Sequence, residues 1–374
     1  MQNNKEYTFQ WFIVLLTPFV YWVVLPRHSG DMDIFLLPWF QEIEARGFRA
    51  MSGEYSNYSP PYLYLLGIAS VFSQFASPIV LIKAISIFFT YFLAIIFGLT
   101  VYEINKNKNL ALIAACVFPL VASIAINAAW WGQCDAVYTS FLLCAFLCSL
   151  KKKPFWVMFF LGLAFSFKAQ AVFFLPYLLY LLLKKEVPWK YTLVVPVVFC
   201  VMMLPAWLAG RDALELAKIY TNQADTYKIL SLNAPNPWAW LKRLPFISYE
   251  AGVVAGVAAA LIANLVLVFK SRFIKNDSNF FQLLLITATM LVSPFLLPKM
   301  HDRYFYPADV FTMLLAFTYP RFTSVAIAMQ IASVSVSFAY LRVINSFREA
   351  VSAIACIFVA YAIFKVINLW RSYR

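Results

Sequence analysis

The sequence predicts an all-α polytopic membrane protein with about 12 transmembrane helices, in a range of about 11–13. Three observations predict it. The chain is 63% apolar and 13% charged over 374 residues, which leaves too little polar surface for a soluble fold of that size. Its apolar runs approach or exceed the roughly 20 residues that cross a bilayer as helix. They are continuous rather than alternating, which argues against a β-barrel. Finally, the short loops come in two alternating kinds. One is basic: Lys151-Lys152-Lys153, Lys184-Lys185, residues 270–275 and residues 371–374. The other gathers acids, amides, aromatics and a histidine.

Basic loops stay in the cytoplasm. That rule puts both termini inside and the second kind of loop on the outer face. The formal charge of +13 then reports topology, and no nucleic-acid partner is expected. Helical spans are expected near residues 9–26, 79–102, 110–128, 136–150, 154–167, 170–183, 190–208, 249–269, 279–297, 304–319, 323–343 and 350–370. The first run lacks a small-residue cleavage site and is followed by Pro26-Arg27-His28, so a retained helix is expected rather than a signal peptide.

Between Lys153 and Lys184 there is too little chain for two full crossings. A short non-crossing helical hairpin is expected, its turn Phe167-Lys168-Ala169-Gln170 within the outer half of the membrane. A lysine at that depth either faces a lined cavity or snorkels to the interface. The loop over residues 27–78 is long. Its stretch 34–48 mixes apolar residues with Gln41, Glu42, Glu44 and Arg46, an amphipathic helix on the outer membrane surface. A rigid polar turn ends at Pro60-Pro61, and residues 62–77 form a re-entrant helix or partial span. A second long outer segment covers residues 210–249. The six cysteines are scattered, so neither a disulfide framework nor a metal site is expected.

The polar outer loops carry the candidate chemistry. Asp31 and Asp33 follow the first span closely. One would act as general base and the other would orient or bind a cation; equally, they are cap and first-turn acids of the helix that follows. Trp130-Trp131-Gly132-Gln133-Cys134-Asp135 reads either as a sugar platform or as an interfacial aromatic belt. Lys299 and His301-Asp302-Arg303 read either as charge-assisted donors to a phosphate or as interfacial anchors. No Walker loop or dinucleotide fingerprint occurs, so a sugar transferase of this design would need a lipid-linked donor.

In order, Gly30-Asp31-Met32-Asp33, Asn57-Tyr58-Ser59-Pro60-Pro61-Tyr62, Trp131-Gly132-Gln133-Cys134-Asp135, Phe167-Lys168-Ala169-Gln170 and His301-Asp302-Arg303 resemble the polytopic glycosyltransferases of the GT-C class. These use polyprenyl-phosphate sugars and include lipid-linked oligosaccharide glucosyl- and mannosyltransferases and bacterial surface-glycan enzymes. The resemblance implies a catalytic module over residues 1–209 and a variable module over 210–374. It implies Asp31 as base, with Asp33 beside it. It implies His301, Arg303, Lys168 and Lys299 on the donor phosphate, and Trp131, Gln133, Asp135, Gln170, Tyr58, Asn233, Asn236 and Asp302 on sugar or acceptor. The partners would be a polyprenyl-phosphate sugar, a glycan or lipid-linked oligosaccharide acceptor, and membrane lipids, with the enzyme a monomer. No cofactor is required; Mg or Mn is compatible but not implied. The setting would be a bacterial inner membrane with the site facing outward. The outer loops are small, which disfavours a protein acceptor. The rival expectation is a transporter or lipid-linked sugar flippase.

Overall fold

The computed structural model describes residues 8–225, 227–274, 278–343 and 347–372. Its principal helices, in chain order, are α1 (Thr8–Val24), α2 (Leu37–Arg46), α3 (Pro60–Ser70), α4 (Pro78–Asn105), α5 (Lys108–Val117), α6 (Asp135–Leu150), α7 (Pro154–Phe167), α8 (Leu175–Leu183), α9 (Val194–Leu208), α10 (Ala213–Asp225), α11 (Tyr249–Ser271), α12 (Asn279–Leu296), α13 (Tyr306–Thr318), α14 (Thr323–Tyr340) and α15 (Arg348–Ser372). Every one of the expected helical segments coincides with a helix or a run of helical turns.

Among the described residues, six helices are long and apolar enough to cross a membrane, and a seventh is counted if a bent pair forms one span. The protein is therefore an all-α chain with the helices of a polytopic membrane protein. The remaining apolar helices are shorter. At 1.5 Å rise per residue, the 14 residues of α7 reach only about 21 Å, against a hydrocarbon core of about 30 Å. The bent pair joins Lys108–Leu120 to Ala122–Trp131 at 51°. Pro119 lies at the break, where it lacks the N–H a continuing helix would need.

The described residues cluster into two compact units, one of 8–171 with 190–225 and one of 172–189 with 227–372. Both are discontinuous in sequence, whereas the modules read from the sequence are continuous. In the first unit α6 is the central helix, buried along nearly all its length and packed on α4 and α7. Backbones approach closely where a side chain is missing. A Cβ on Gly98 would lie 2.8 Å from the Ala111 carbonyl of α5, and one on Gly162 would lie 2.8 Å from Val198 of α9. Small residues at such crossings are how apolar helices gain contact in a medium that gives no hydrophobic drive.

The amphipathic helix of the first loop forms as α2. Its buried side chains Trp39, Phe40 and Ile43 lie on one face, at the spacing a 3.6-residue period requires. That face packs on α3, so Trp39, Phe40 and Ile43 are covered by protein, while Ile34 and Phe48 at the ends of the stretch stay exposed. Proline at the first turn starts α3, α4 and α7; the N–H it lacks has no partner there in any case.

In the second unit α12 is central, buried from Phe280 to Pro294 and flanked by α11, α13 and α15. A two-stranded parallel ribbon pairs β1 (Ser231–Leu232) with β2 (Met300–His301).

Candidate active site

Two departures from the α-helix shape the first unit's polar centre. Met32–Leu36 and Ile126–Trp131 are both π-helical, a rare geometry that recurs at functional sites. The first begins directly after Asp31 and the second ends at Trp131. Gly132 then takes the left-handed conformation at φ +71°, which turns the chain so that Trp131 and Gln133 point the same way. Their side-chain N–H groups both donate to Oδ2 of Asp31, Trp131 Nε1 at 3.1 Å and Gln133 Nε2 at 3.2 Å. Tyr58 Oη donates to Gln133 Oε1 at 2.9 Å, and the Tyr58 ring lies 5.0 Å from that of Trp39. Four residues expected at the site, Asp31, Tyr58, Trp131 and Gln133, are thus brought together. Asp31 is half-buried, while Trp131 and Gln133 are fully buried.

Lys83 secures this arrangement. It is buried on α4, and its ammonium donates to the carbonyls of Leu25, at 2.7 Å, and Arg27. These are carbonyls at the end of α1 that the helix leaves unpaired. The anchored chain then delivers Asp31 four residues later. A Cβ on Gly132 would sit 2.9 Å from Met32 Cε and 3.1 Å from Lys83 Cγ. Gly132→Ala is expected to cost about 1–2 kcal/mol through its left-handed backbone alone. It should also disturb the two hydrogen bonds to Asp31. Thermal unfolding of the purified variant checks the first effect and the Trp131 emission the second.

Asp135 and Lys168 are brought together as well, but onto each other. Asp135 is completely buried; its Oδ1 is ion-paired with Lys168 Nζ, and Oδ2 accepts from Asn127 Nδ2 at 2.9 Å. Lys168, 7% exposed, lies inside the protein rather than snorkelling outward. The neighbouring Phe167 carbonyl accepts from Ser59 Oγ at 2.9 Å. A chain of contacts therefore runs from the buried ion pair through Ser59 and Tyr58 to Gln133 and Asp31. Gln170 is half-buried, and its side-chain oxygen has no hydrogen-bond partner among the described residues.

Asp33 stands apart from Asp31. It is exposed and paired with His28, Nε2 to Oδ1 at 3.2 Å. An ion pair so open to solvent contributes little to stability.

The second unit holds the other predicted residues. The ribbon brings the stretch after Leu230 against Lys299–His301, with Asn233 bridged to His301 and Lys299 N–H donating to the Leu230 carbonyl at 2.8 Å. Asn233 and Lys299 both have positive φ. Asn236 is buried and donates to the carbonyls of Pro294 and Leu297, at 3.3 and 3.1 Å, closing the C-terminal end of α12. His301 stands 5.0 Å from Tyr304 and 5.9 Å from Tyr227. Asp302 is buried, and its Oδ1 accepts from the Arg303 N–H at 2.9 Å.

Among the described residues no three His, Cys, Asp or Glu side chains form a metal-holding group. Sequence reasoning missed Asn127, Lys83 and Arg211, and read Ser59 only as part of a motif. Lys83 alone carried a signal, being a charge inside an apolar run. No known family model matches the chain. No curated protein matches it either.

Proposed function

We propose that the chain is an inverting hexosyltransferase of GT-C-like architecture with about 12 spans. It would move a hexose from a polyprenyl-phosphate sugar to a glycan or lipid-linked oligosaccharide, at the outer face of a bacterial inner membrane. The observation that carries this reading is the hold on Asp31. Two side-chain donors from a segment about one hundred residues away orient a half-buried carboxylate beside a tyrosine. A positioned carboxylate of this kind suits general-base work.

In the reaction, an acceptor hydroxyl attacks the anomeric carbon in line and its proton passes to Asp31. The bond from that carbon to the phosphate oxygen breaks, and polyprenyl phosphate leaves with the bonding pair. Its growing negative charge calls for cationic donors. The cations that the sequence resemblance offers for such a phosphate are Arg303, His301 and Lys299. Trp131 and Gln133, both buried, are assigned to orienting Asp31, and Tyr58 to holding Gln133. Lys168 is committed to Asp135, so the pair is assigned to holding the hairpin in place.

The test uses purified protein in nanodiscs with radiolabelled polyprenyl-phosphate hexoses and extracted host glycolipids, with and without chelator. Transfer of label to an acceptor, with release of polyprenyl phosphate, is the expected result. Donor binding without turnover, joined to movement of the lipid between leaflets in vesicles, would replace this reading with the flippase.

A further inference from the structure

Arg211 follows α9 and begins the turn into α10. It is only 6% exposed, and its Nε and Nη1 are buried with no hydrogen-bond partner among the described residues. A buried guanidinium with unanswered donors is costly, and where one persists it calls for an acceptor from outside. Arg211 lines a cleft of about 180 Å³, many times the roughly 10–15 Å³ that a single water needs. Glu54 and Asn57 from the polar turn line one side, and Glu215, Asn222 and Gln223 of α10 line the other. Asp212 starts α10 by accepting from the N–H groups of Leu214 and Glu215 at 2.9 and 3.0 Å. Gln223 Nε2 donates to the Asn57 carbonyl and so ties the two walls together.

A chain of contacts links the cleft to the candidate base. Asn57 lines the cleft, and the next residue, Tyr58, bonds Gln133, which bonds Asp31. On the other side Tyr220 of α10 bonds the Phe165 carbonyl. Amide, carboxylate and guanidinium groups supply most of the polar lining, with Ser56 and the apolar side chain of Ile219 beside them. Such polar groups match a molecule whose every hydroxyl is both donor and acceptor. Glu54 and Glu215 both line the cleft beside Arg211. Two carboxyl groups face one guanidinium, so the cleft favours an uncharged ligand over an anion.

We propose that the cleft of Glu54, Asn57, Arg211, Glu215, Asn222 and Gln223 is the acceptor subsite and takes a neutral hexopyranose at the end of a glycan. This rests on the glycosyltransferase reading and extends it to the acceptor. Ring and hydroxyl oxygens would accept from Arg211 and the amides, and sugar hydroxyls would donate to Glu54 and Glu215.

The hydrogen bond from Glu54 holds the Glu215 carboxyl above the usual carboxylate range, with Asp212 acting in the same direction and Arg211 against it. A raised carboxyl adds stability that is fully present below its unfolded value and is lost as pH rises through the folded value. This pair's contribution to the melting temperature should therefore slope downward as pH rises through the range just above 4.5. In Glu54→Gln that slope should flatten.

The binding test is saturation-transfer NMR on nanodisc protein. The probes are methyl hexopyranosides of glucose, mannose and galactose, with glucuronic acid and inorganic phosphate as charged counterparts. At least one neutral methyl hexoside should bind wild type, and bind both Arg211→Gln and Glu54→Gln at least 10-fold more weakly. Glu54 is exposed, so its variant should fold even if the Arg211 variant does not. Binding insensitive to both changes, binding of the charged probes only, or no binding to wild type would each overturn the subsite. Hexoside binding that depends on Arg211, in a protein that transfers no sugar from any polyprenyl-phosphate donor, would uphold the subsite and sink the enzymatic reading.

Discussion

Asp31→Asn should lower the rate of sugar transfer by about 10²–10⁴-fold, the usual contribution of a positioned general base. The substitution is nearly isosteric. An asparagine oxygen still accepts from Trp131 Nε1 and Gln133 Nε2, the two donors that orient the native carboxylate. What is lost is the ability to take a proton. Thermal stability and donor binding should therefore stay close to wild type while turnover collapses. Asp33→Asn is the control. Asp33 is exposed and paired only loosely with His28, and its variant should keep transfer within a few-fold. Single-turnover assays with a polyprenyl-phosphate hexose check both. Near-normal turnover in Asp31→Asn would take the role of base away from that residue.

The largest structural effect is expected at the buried ion pair. Lys168→Met takes the cation of its ion pair away from Asp135, which is completely buried and keeps its bond from Asn127. Removing one partner of a buried pair costs about 3–5 kcal/mol, and within apolar helices the stranded charge has no water to turn to. Asp135→Asn strands Lys168 in the same way. The double variant removes both charges and should lie nearer wild type than either single variant. Thermal unfolding of the four proteins in one detergent measures this. Their transfer rates separate two roles. If the pair only holds the hairpin and Ser59 in place, turnover recovers in the double variant together with stability. If Lys168 also meets the donor phosphate, turnover stays low after stability returns, and the positioning role fails.

Much of the site was legible before any coordinates. The acid motif of Asp31 and the Trp131-Gly132-Gln133 stretch stood out because polar and aromatic residues are conspicuous beside long apolar runs. Their meeting could not be read from spacing. It depends on two π-helical turns and one left-handed glycine, small backbone departures that leave no periodic trace. Asp135 was legible as a candidate for sugar contact, yet the fold turns both its oxygens inward to Asn127 and Lys168. Asn236 likewise serves the end of α12. Asn127 escaped notice, and Ser59 was read only as part of a motif, because a small polar residue gains significance only from what it bonds.

Arg211 makes the same point from the other side. In the sequence it is one more charge in a long polar loop, and only packing shows that it is buried with two of its nitrogens lacking hydrogen-bond partners among the described residues.

The sequence by itself determined the class. Continuous apolar runs and segregated charge follow from a medium that must be matched residue by residue along each helix, so they are written locally. It also determined where helices begin and end, because prolines, caps and basic turns act over one or two turns of chain. Only the tertiary structure decided which polar groups satisfy one another, since a hydrogen bond such as that from Trp131 to Asp31 joins residues about one hundred positions apart. The different settings of the three candidate acids, Asp31 held and half-buried, Asp33 exposed, Asp135 sealed within an ion pair, are made by burial and geometry, which no local pattern encodes.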